Sequence, residues 1–208
     1  MNVSDYSKSV RFQLGLAAAD QVLSDEVVLW ALNGALRSIA TDKDWPWLLA
    51  DPQTDTTVAD TPTFLLPENH TRTSTLKIDG RVIEPATHIA IASSADDTGH
   101  PAFYAIEANA VRLYPTPDGA YAIVHAYYRS EPELVLVTDS PLLPDAYSEA
   151  LVYEAAVKAA IRTNRLERLQ TLREAASLER KKMVDNYVRA SKPGRIRKTR
   201  DSIWPPLI

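Results

Sequence analysis

The stretch STLKIDGRVIEP, residues 74–85, decides which kind of fold this sequence can form. Two runs of strand-forming residues, Ser74–Ile78 and Arg81–Pro85, flank the dipeptide Asp79-Gly80. Asp-Gly between two such runs is a strong signal of a two-residue β-hairpin, because both turn positions require a positive φ. The sequence therefore predicts an antiparallel pair of strands here.

Strand-forming composition continues on both sides of this hairpin, from Thr54 to Val137, where Thr, Val and Ile runs are bounded by Pro, Gly, Asp and Asn. The run Tyr121–Tyr128 is fairly apolar on both faces, which predicts a central strand. Thr87–Pro101, by contrast, is predicted to be a loop. The predicted strands are Thr54–Ala59, Thr63–Leu66, Ser74–Ile78, Arg81–Pro85, Ala102–Glu107, Ala110–Leu113 and Tyr121–Tyr128.

Two helices are predicted before the strands. Ser4 is a suitable N-cap for a first helix that ends near Leu14, and the acidic Asp5 follows in its first turn. Ser24 is a suitable N-cap for a second helix, in which apolar residues recur at helical spacing until about Asp42. Each pattern indicates an amphipathic helix that buries one face.

Two further helical segments follow the strands. Pro144 is placed to open a helix over residues 146–163, which are rich in Ala. A second stretch runs from about Leu166 to Val188 and is either a separate helix or a continuation of the first. Helices therefore both precede and follow the β-rich part of the chain.

These patterns predict an α+β fold in which an antiparallel helical bundle is interrupted by a β-rich insertion and followed by an extended C-terminal arm. The helices before and after the insertion are expected to pack together as one helical domain. The predicted parts are 1–53 (N-terminal helices), 54–140 (β-rich insertion), 141–188 (C-terminal helices) and 189–208 (basic and apolar arm).

The predicted arm, residues 189–208, reads RASKPGRIRKTRDSIWPPLI. It holds six basic residues and one acidic residue, followed by an apolar plug. Burying a large apolar side chain is worth about 1.5–3 kcal/mol, so we predict that the arm docks on another subunit; a frayed terminus is the alternative. The predicted partner-binding residues are Lys192, Arg195, Arg197, Lys198, Arg200, Ile203, Trp204, Leu207 and Ile208.

Charge is divided unevenly along the chain, whose net charge is −4. Residues 1–157 contain 9 Lys or Arg against 22 Asp or Glu, whereas residues 158–208 contain 14 against 5. A basic end suits DNA phosphates or an acidic protein surface, and an acidic body suits a surface that DNA passes without sticking. No apolar run approaches the roughly 20 residues that span a bilayer, so no membrane partner is predicted.

The sequence shows no constellation typical of catalysis, so we predict a protein that is not an enzyme and needs no cofactor. The absence of Cys excludes disulfides and thiolate chemistry. Phosphate loops and nucleophile elbows are absent as well. Four histidines lie on separate loops or strands without the spacing of metal ligands, namely His70, His88, His100 and His125. No catalytic or metal-binding residue is therefore predicted.

Two features have both a structural and a functional interpretation. Trp45, Pro46 and Trp47 are predicted to form a packed structural anchor, with a platform that stacks sugars or bases as the alternative. The basic residues between 162 and 182 are predicted to form a solvated helix surface with ion pairs such as Glu179–Lys182. A DNA contact is the alternative for that surface.

Three stretches of the chain carry a family resemblance. They are the opening segment 10–48, which ends in DWPWL; the strand segment 110–129, with AVRLYPTP and YYR; and residues 143–151, LPDAYSEAL. Together they resemble the head-to-tail adaptor (connector) proteins of tailed bacteriophages, over most of the chain.

The resemblance implies a structural virion protein that forms a ring, commonly of twelve copies, beneath the portal at the capsid vertex. Such a ring extends the DNA channel and offers an attachment surface for the tail. The implied partners are the portal protein, neighbouring copies of the chain, a downstream neck or tail protein, and double-stranded DNA that passes without sequence-specific contacts. The implied location is the neck of the virion, with the host cytoplasm during assembly. The arm residues would then grip the portal or a neighbouring subunit.

Two other classes of function stay open from the sequence. A DNA-binding packaging accessory would use the basic helix and the arm, and its binding to duplex DNA would depend strongly on salt. A virion-associated cell-wall hydrolase would use paired carboxylates, and it would turn over peptidoglycan.

Overall fold

The computed structural model describes residues 1–17, 23–94 and 96–191. Five α-helices and seven β-strands lie within these residues. The helices are α1 (Val3–Gln13), α2 (Asp25–Ala40), α3 (His88–Ser94), α4 (Ser148–Arg162) and α5 (Leu169–Ser191). The strands are β1 (Gln53–Thr56), β2 (Thr63–Leu65), β3 (His70–Ile78), β4 (Arg81–Pro85), β5 (Phe103–Glu107), β6 (Ala110–Tyr114) and β7 (Ala122–Arg129).

All seven strands join one mixed sheet in the order β1-β7-β3-β4-β5-β6-β2, which curves into a half-barrel. Neighbouring strands are antiparallel except β4 and β5, which are parallel. The predicted hairpin is confirmed: β3 pairs with β4 across Asp79 and Gly80, whose φ angles are 47° and 76°. Each predicted strand is confirmed with ends that differ by a few residues, and β7 is an inner strand as predicted.

The prediction of a loop for Thr87–Pro101 is wrong, because helix α3 forms inside this stretch. Thr87 Oγ1 accepts a hydrogen bond from the backbone N–H of Ala90 at 3.2 Å, as a helix N-cap does. The stretch connects β4 to β5, which are the two parallel strands of the sheet. Parallel strands cannot be joined by a tight turn, so the chain needs a crossover here, and α3 is part of it.

The ends of the helices follow local capping chemistry. The Ser24 side chain accepts from the backbone N–H of Val27 at 3.4 Å and caps α2, as predicted. The predicted Ser4 cap of α1 is wrong, because Asn2 caps that helix and accepts from the N–H of Asp5 at 3.0 Å. Helices α4 and α5 are separate, and Asn164 between them has a positive φ of 55°.

Helices α1, α2, α4 and α5 pack around one core and the sheet around another. The helical core includes Leu32, Trp45 and Leu151, whereas the sheet core includes Leu76 and Ile123. Arg180 on α5 ties three helices together. It donates to the backbone C=O of Ser38 at 2.7 Å, to Glu154 Oε1 at 3.1 Å and to Asp42 Oδ2 at 3.3 Å.

The fold class predicted from the sequence is wrong. The expected antiparallel helical bundle with a β-rich insertion is instead an α+β fold in which a seven-stranded mixed half-barrel sheet accompanies the five described helices. The sequence pattern identified the strands but not their partners, and the strands join into one sheet with its own buried core. Residues 189–191 of the predicted extended arm end helix α5, and residues 192–208 lie outside the described residues. The division of the chain at residues 53, 140 and 188 stays a prediction.

Replacing Gly80 with Ala should lower the free energy of unfolding by about 1 kcal/mol. The φ of Gly80 is 76°, which an L-residue with a Cβ adopts only with strain, and the added Cβ would meet no atom within 4 Å. The effect is therefore conformational, and urea unfolding followed by circular dichroism measures it.

Gly119→Ala is the matched control for that substitution. Gly119 lies in a bend shortly before β7 but is not among the glycines with positive φ, and an added Cβ would lie 3.9 Å from the Tyr121 ring, at ordinary contact distance. Its effect should stay below about 0.5 kcal/mol. Equal losses in the two variants would show that the hairpin turn does not require positive φ.

Candidate docking surfaces

A short loop after β7 exposes three consecutive apolar side chains. Val135, Leu136 and Val137 are 67%, 61% and 62% exposed, although Leu134 directly before them is buried in the helical core. Contiguous exposed apolar side chains are typical of a surface that another molecule covers. Residues 135–137 are called the apolar loop below.

The carboxylate of Asp139 fixes the backbone of the apolar loop. Its Oδ2 atom accepts hydrogen bonds from the backbone N–H groups of Leu136 at 2.7 Å and Val135 at 2.8 Å. The same two hydrogen bonds hold the pKa of Asp139 below its ordinary value, because they stabilise the charged form. The carboxylate is therefore ionised at neutral pH.

Two helices hold the apolar loop from either end. The Asn33 side chain on α2 pairs with both backbone groups of Leu134, donating to its C=O and accepting from its N–H, each at 2.9 Å. The backbone N–H of Ser4 on α1 donates to the C=O of Val137 at 3.1 Å. A loop that is already ordered loses little conformational entropy when it docks on a partner.

Helix α1 presents another exposed apolar side chain, Phe12, which is 74% exposed. The neighbouring Arg11 is buried and holds the helix in place. It donates to the backbone C=O of Leu23 at 3.0 Å and to Asp25 Oδ1 at 2.6 Å. Phe12 therefore stands on a fixed helix at the protein surface.

A crevice of about 660 Å³ lies between the helices and the sheet. Its apolar wall comes from the short 3-10 turn before β1, from the end of β7 and from the last turns of α5. Cationic side chains of α2, the segment after it and β7 line the crevice as well. The apolar wall consists of Leu48, Tyr128 and Tyr187. The cationic side chains are Arg37, Lys43 and Arg129.

The walls of the crevice join the two layers. Arg72 on β3 forms an ion pair with Asp44, and its guanidinium lies over the Tyr128 ring, 5.3 Å from the centroid. Arg129 Nε is buried, and no described residue accepts a hydrogen bond from it. Buried donors are normally hydrogen-bonded, so the crevice offers an N–H donor to an inserted acceptor.

The predicted anchor Trp45-Pro46-Trp47 lies beside this crevice. Trp45 is fully buried, and its Nε1–H donates to the backbone C=O of Ile39 at 2.6 Å. Pro46 begins the 3-10 turn. The Trp47 ring stacks on Trp45 at 4.7 Å, and Tyr187 of α5 meets Trp45 edge-on at 5.4 Å. A buried Trp45 ring presents no face to a sugar or a base.

The predicted partner-binding residues lie outside the described residues, and their docking role stays a prediction. The point at which this part of the chain begins does lie within the described residues. Helix α5 ends at Ser191, about one helical turn beyond Tyr187. The residues concerned are Lys192, Arg195, Arg197, Lys198, Arg200, Ile203, Trp204, Leu207 and Ile208.

One polar cluster was not predicted from the sequence, in which His70 and His125 lie on unrelated elements. The pairing of β3 with β7 brings both rings to Thr73, whose Oγ1 lies 3.1 Å from His70 Nε2 and 2.9 Å from His125 Nε2. Tyr127 packs against both rings at 5.6 and 5.3 Å. Spacing along the chain carries no signal of this cluster, since it depends on the register of two distant strands.

His125 is neutral in the folded protein. Burial first, and the nearby His70 second, lower its pKa to about 4. Among the described residues, its Nδ1 atom has no hydrogen-bond partner, nor does Oε1 of Gln53, its cross-strand neighbour on β1.

Over residues 1–17, 23–94 and 96–191, no group of three or more His, Cys, Asp or Glu side chains is placed to hold a metal ion. None of the described helices is both long and apolar enough to cross a membrane. The predicted ion pair on α5 is confirmed, with Lys182 Nζ 2.5 Å from Glu179 Oε1. Part of the basic helix surface is thus neutralised by neighbouring acids.

Comparison with known families decides between the interpretations of these surfaces. Residues 1–197 match the family described as SU10 adaptor protein, so the match includes every described helix and strand. The chain belongs to the SU10 adaptor protein family. No curated protein matches it.

Membership of this family confirms the resemblance to phage head-to-tail adaptors. The chain is a structural adaptor protein of a bacteriophage, of the head-tail connector type. The family is structural and not enzymatic, and it implies contacts with portal and tail proteins at the neck of the virion.

Lowering the pH should destabilise this adaptor through His125. Its pKa is about 4 in the folded protein against 6.5 for an unperturbed histidine, so between these values the unfolded chain binds a proton that the native protein does not. The neutral, buried His125 therefore contributes its full stabilisation above pH 6.5, the pKa in the unfolded chain. This contribution is lost as the pH falls toward the folded-state pKa of about 4. Urea unfolding should show a loss on the order of 3 kcal/mol between about pH 7 and about pH 4.

Other groups also titrate in this range, so the comparison of variants isolates the contribution of His125. His125→Gln should remove most of the loss. His70, whose pKa burial also lowers, adds a part of its own. If the free energy of unfolding of His125→Gln fell with pH as steeply as that of the wild type, His125 would not be the group responsible for the loss.

Proposed function

We propose that this adaptor assembles into a ring beneath the portal, extends the DNA channel and provides the surface to which the tail attaches. The observation that carries the proposal is the match to the adaptor family over residues 1–197. The fixed apolar loop supports it, because it gives the folded body a ready-made surface for assembly.

A closed ring requires two different complementary patches on each copy, because one patch must meet the other on the next subunit. The apolar loop provides one such patch, and a different surface of the neighbouring copy covers it. Copies held at a single vertex in this way close into a ring, for which the family resemblance suggests twelve members.

The C-terminal arm provides the grip on the portal. Trp204 is its main anchor, because large aromatic residues in desolvated pockets contribute most of the binding energy of protein interfaces. The basic residues Arg195, Arg197, Lys198 and Arg200 add attraction to an acidic partner surface. The portal is the target of the arm, and the neighbouring copy is the target of the apolar loop.

The acidic body lines the DNA channel. Residues 1–157 contain 22 Asp or Glu against 9 Lys or Arg, and exposed acids such as Asp51, Asp55 and Asp60 lie on or beside the sheet. A negative surface repels phosphates, so double-stranded DNA passes without tight binding and without sequence-specific contacts. The downstream face of the ring then contacts a neck or tail protein.

Removing Lys192–Ile208 should leave the body folded but abolish stable binding to portal-containing heads that lack the adaptor. Trp204→Ala should weaken binding at every salt concentration, by about 2 kcal/mol or more. Neutral replacements of Arg195, Arg197, Lys198 and Arg200 should weaken it mainly at low salt, because exposed charges are screened. Co-sedimentation with the heads across a salt series measures all three effects.

Trp30→Ala is the matched control for the anchor, because Trp30 is an exposed tryptophan of the helical body, where the Arg162 guanidinium lies 4.6 Å from the centroid of its ring. It should bind heads like the wild type. If the truncated chain bound the heads as well as the wild type does, the arm would not be what holds the adaptor to the portal.

The apolar loop can be tested separately from the arm. Leu136→Asp should permit folding and docking of the arm but prevent a complete ring on the heads, since a charge would be buried at the subunit contact. Leu178→Asp changes a leucine of similar exposure on α5 and should permit ring formation. Negative-stain images of the heads count complete rings, and equal counts for the two variants would exclude the apolar loop from the subunit contact.

A further inference from the structure

The crevice between the helices and the sheet has the chemistry of a site for a proline-rich apolar peptide. Tyr128 and Tyr187 supply aromatic walls and Leu48 an aliphatic one, within about 660 Å³. Proline-rich segments bind in aromatic-lined grooves because their extended conformation is already formed and little entropy is lost on docking.

The hydrogen-bonding groups of the crevice point to the same class of ligand. Arg37, Lys43 and Arg129 line it and can only donate hydrogen bonds, whereas the carboxylates that line it are already engaged. Asp44 pairs with Arg72, Asp42 pairs with Arg180, and Glu131 accepts a hydrogen bond from the backbone N–H of Leu142. Arg129 Nε is buried without a partner among the described residues. Proline residues present backbone C=O acceptors but no N–H donors, so a proline-rich segment offers an acceptor to Arg129 Nε without adding donors to a crevice that already has several.

The chain itself contains such a segment after the end of helix α5. Residues 203–208 read IWPPLI and hold two prolines among four large apolar residues. Helix α5 ends at Ser191, about one helical turn beyond Tyr187 in the crevice wall. The residues between Ser191 and Ile203 span up to about 3.5 Å each when extended, so the segment has ample reach.

Because the segment and the crevice belong to one chain, the crevice is expected to bind its own segment before that of another molecule. A segment that belongs to the same chain as its site, with few residues between them, is present there at an effective concentration in the millimolar range. Free chains at micromolar concentration cannot compete with it. Trp204 and its apolar neighbours then leave the water within the same molecule.

We propose that in the free adaptor the segment Ile203–Ile208 occupies the crevice of its own chain, with Trp204 against the wall that includes Tyr128 and Tyr187. This rests on the proposed function in one respect, namely that the same residues later dock on the portal. The portal must then displace the segment from the crevice. Free subunits keep their anchor covered until they reach the head.

Cysteine cross-linking in the full-length chain tests this assignment directly, because the sequence contains no cysteine. Thr71 is exposed and lines the crevice, so the double variant Thr71→Cys with Leu207→Cys places one thiol at the site and one in the segment. Under mild oxidation at micromolar concentration, a disulfide within one chain should form about tenfold or more faster than in a control pair. Non-reducing gels and intact mass distinguish cross-links within a chain from those between chains.

Thr98→Cys with Leu207→Cys is the control pair. Thr98 is an equally exposed threonine that bridges to Thr116, near the end of the sheet where β7 begins, whereas the crevice lies where β7 ends. Adding Trp204→Ala to the crevice pair should slow its cross-link toward the control rate, and adding Trp30→Ala should not. Circular dichroism confirms that each variant is folded.

Each other outcome overturns the assignment. Disulfides mainly between chains would show that the crevice binds the segment of a second copy. Equal rates in the crevice and control pairs would show that the segment does not bind there. Neither result involves the portal, so head binding by the same chains would leave the proposed function intact.

Discussion

Strand β7 joins the two halves of this protein, and the remaining structure depends on where it lies. It pairs with β1 along one edge and with β3 along the other. Ile123 near its start is buried in the sheet core, whereas Tyr128 near its end packs against the helical core. A shift of its register by one residue would turn every side chain to the opposite face, which would remove Tyr128 from the helices and His125 from its cluster.

The two candidate docking surfaces both follow from this strand. The crevice lies beside Tyr128, where the sheet and the helices meet, and the apolar loop begins six residues after β7 ends at Arg129. The loop is ordered before it binds, so docking costs it little entropy.

The sequence predicted the local structure better than the architecture. Asp79-Gly80 identified its hairpin and Ser24 its helix start, because turn and cap chemistry depends on adjacent residues. The order of the strands depends on contacts between distant segments, so the sheet was mistaken for an insertion in a bundle. The same limit concealed the contact of His70 with His125 and the α3 crossover.

The candidate surfaces were predicted from the sequence to different degrees. The docking arm is predicted from composition, since basic residues followed by IWPPLI cannot build a core of their own, and it stays a prediction because residues 192–208 lie outside the described residues. The apolar loop was not predicted, because Val135, Leu136 and Val137 continue the strand-forming composition of the preceding region. Their exposure depends on Asn33 and Asp139, which fix the backbone through contacts that only the folded chain reveals.

An image of the assembled virion neck at side-chain resolution tests the central claim most directly. The account predicts copies of this chain in a closed ring between the portal and the tail, with each apolar loop covered by the next copy and each Trp204 buried against the portal. A chain found elsewhere in the particle, or a ring whose apolar loops face solvent, would contradict it.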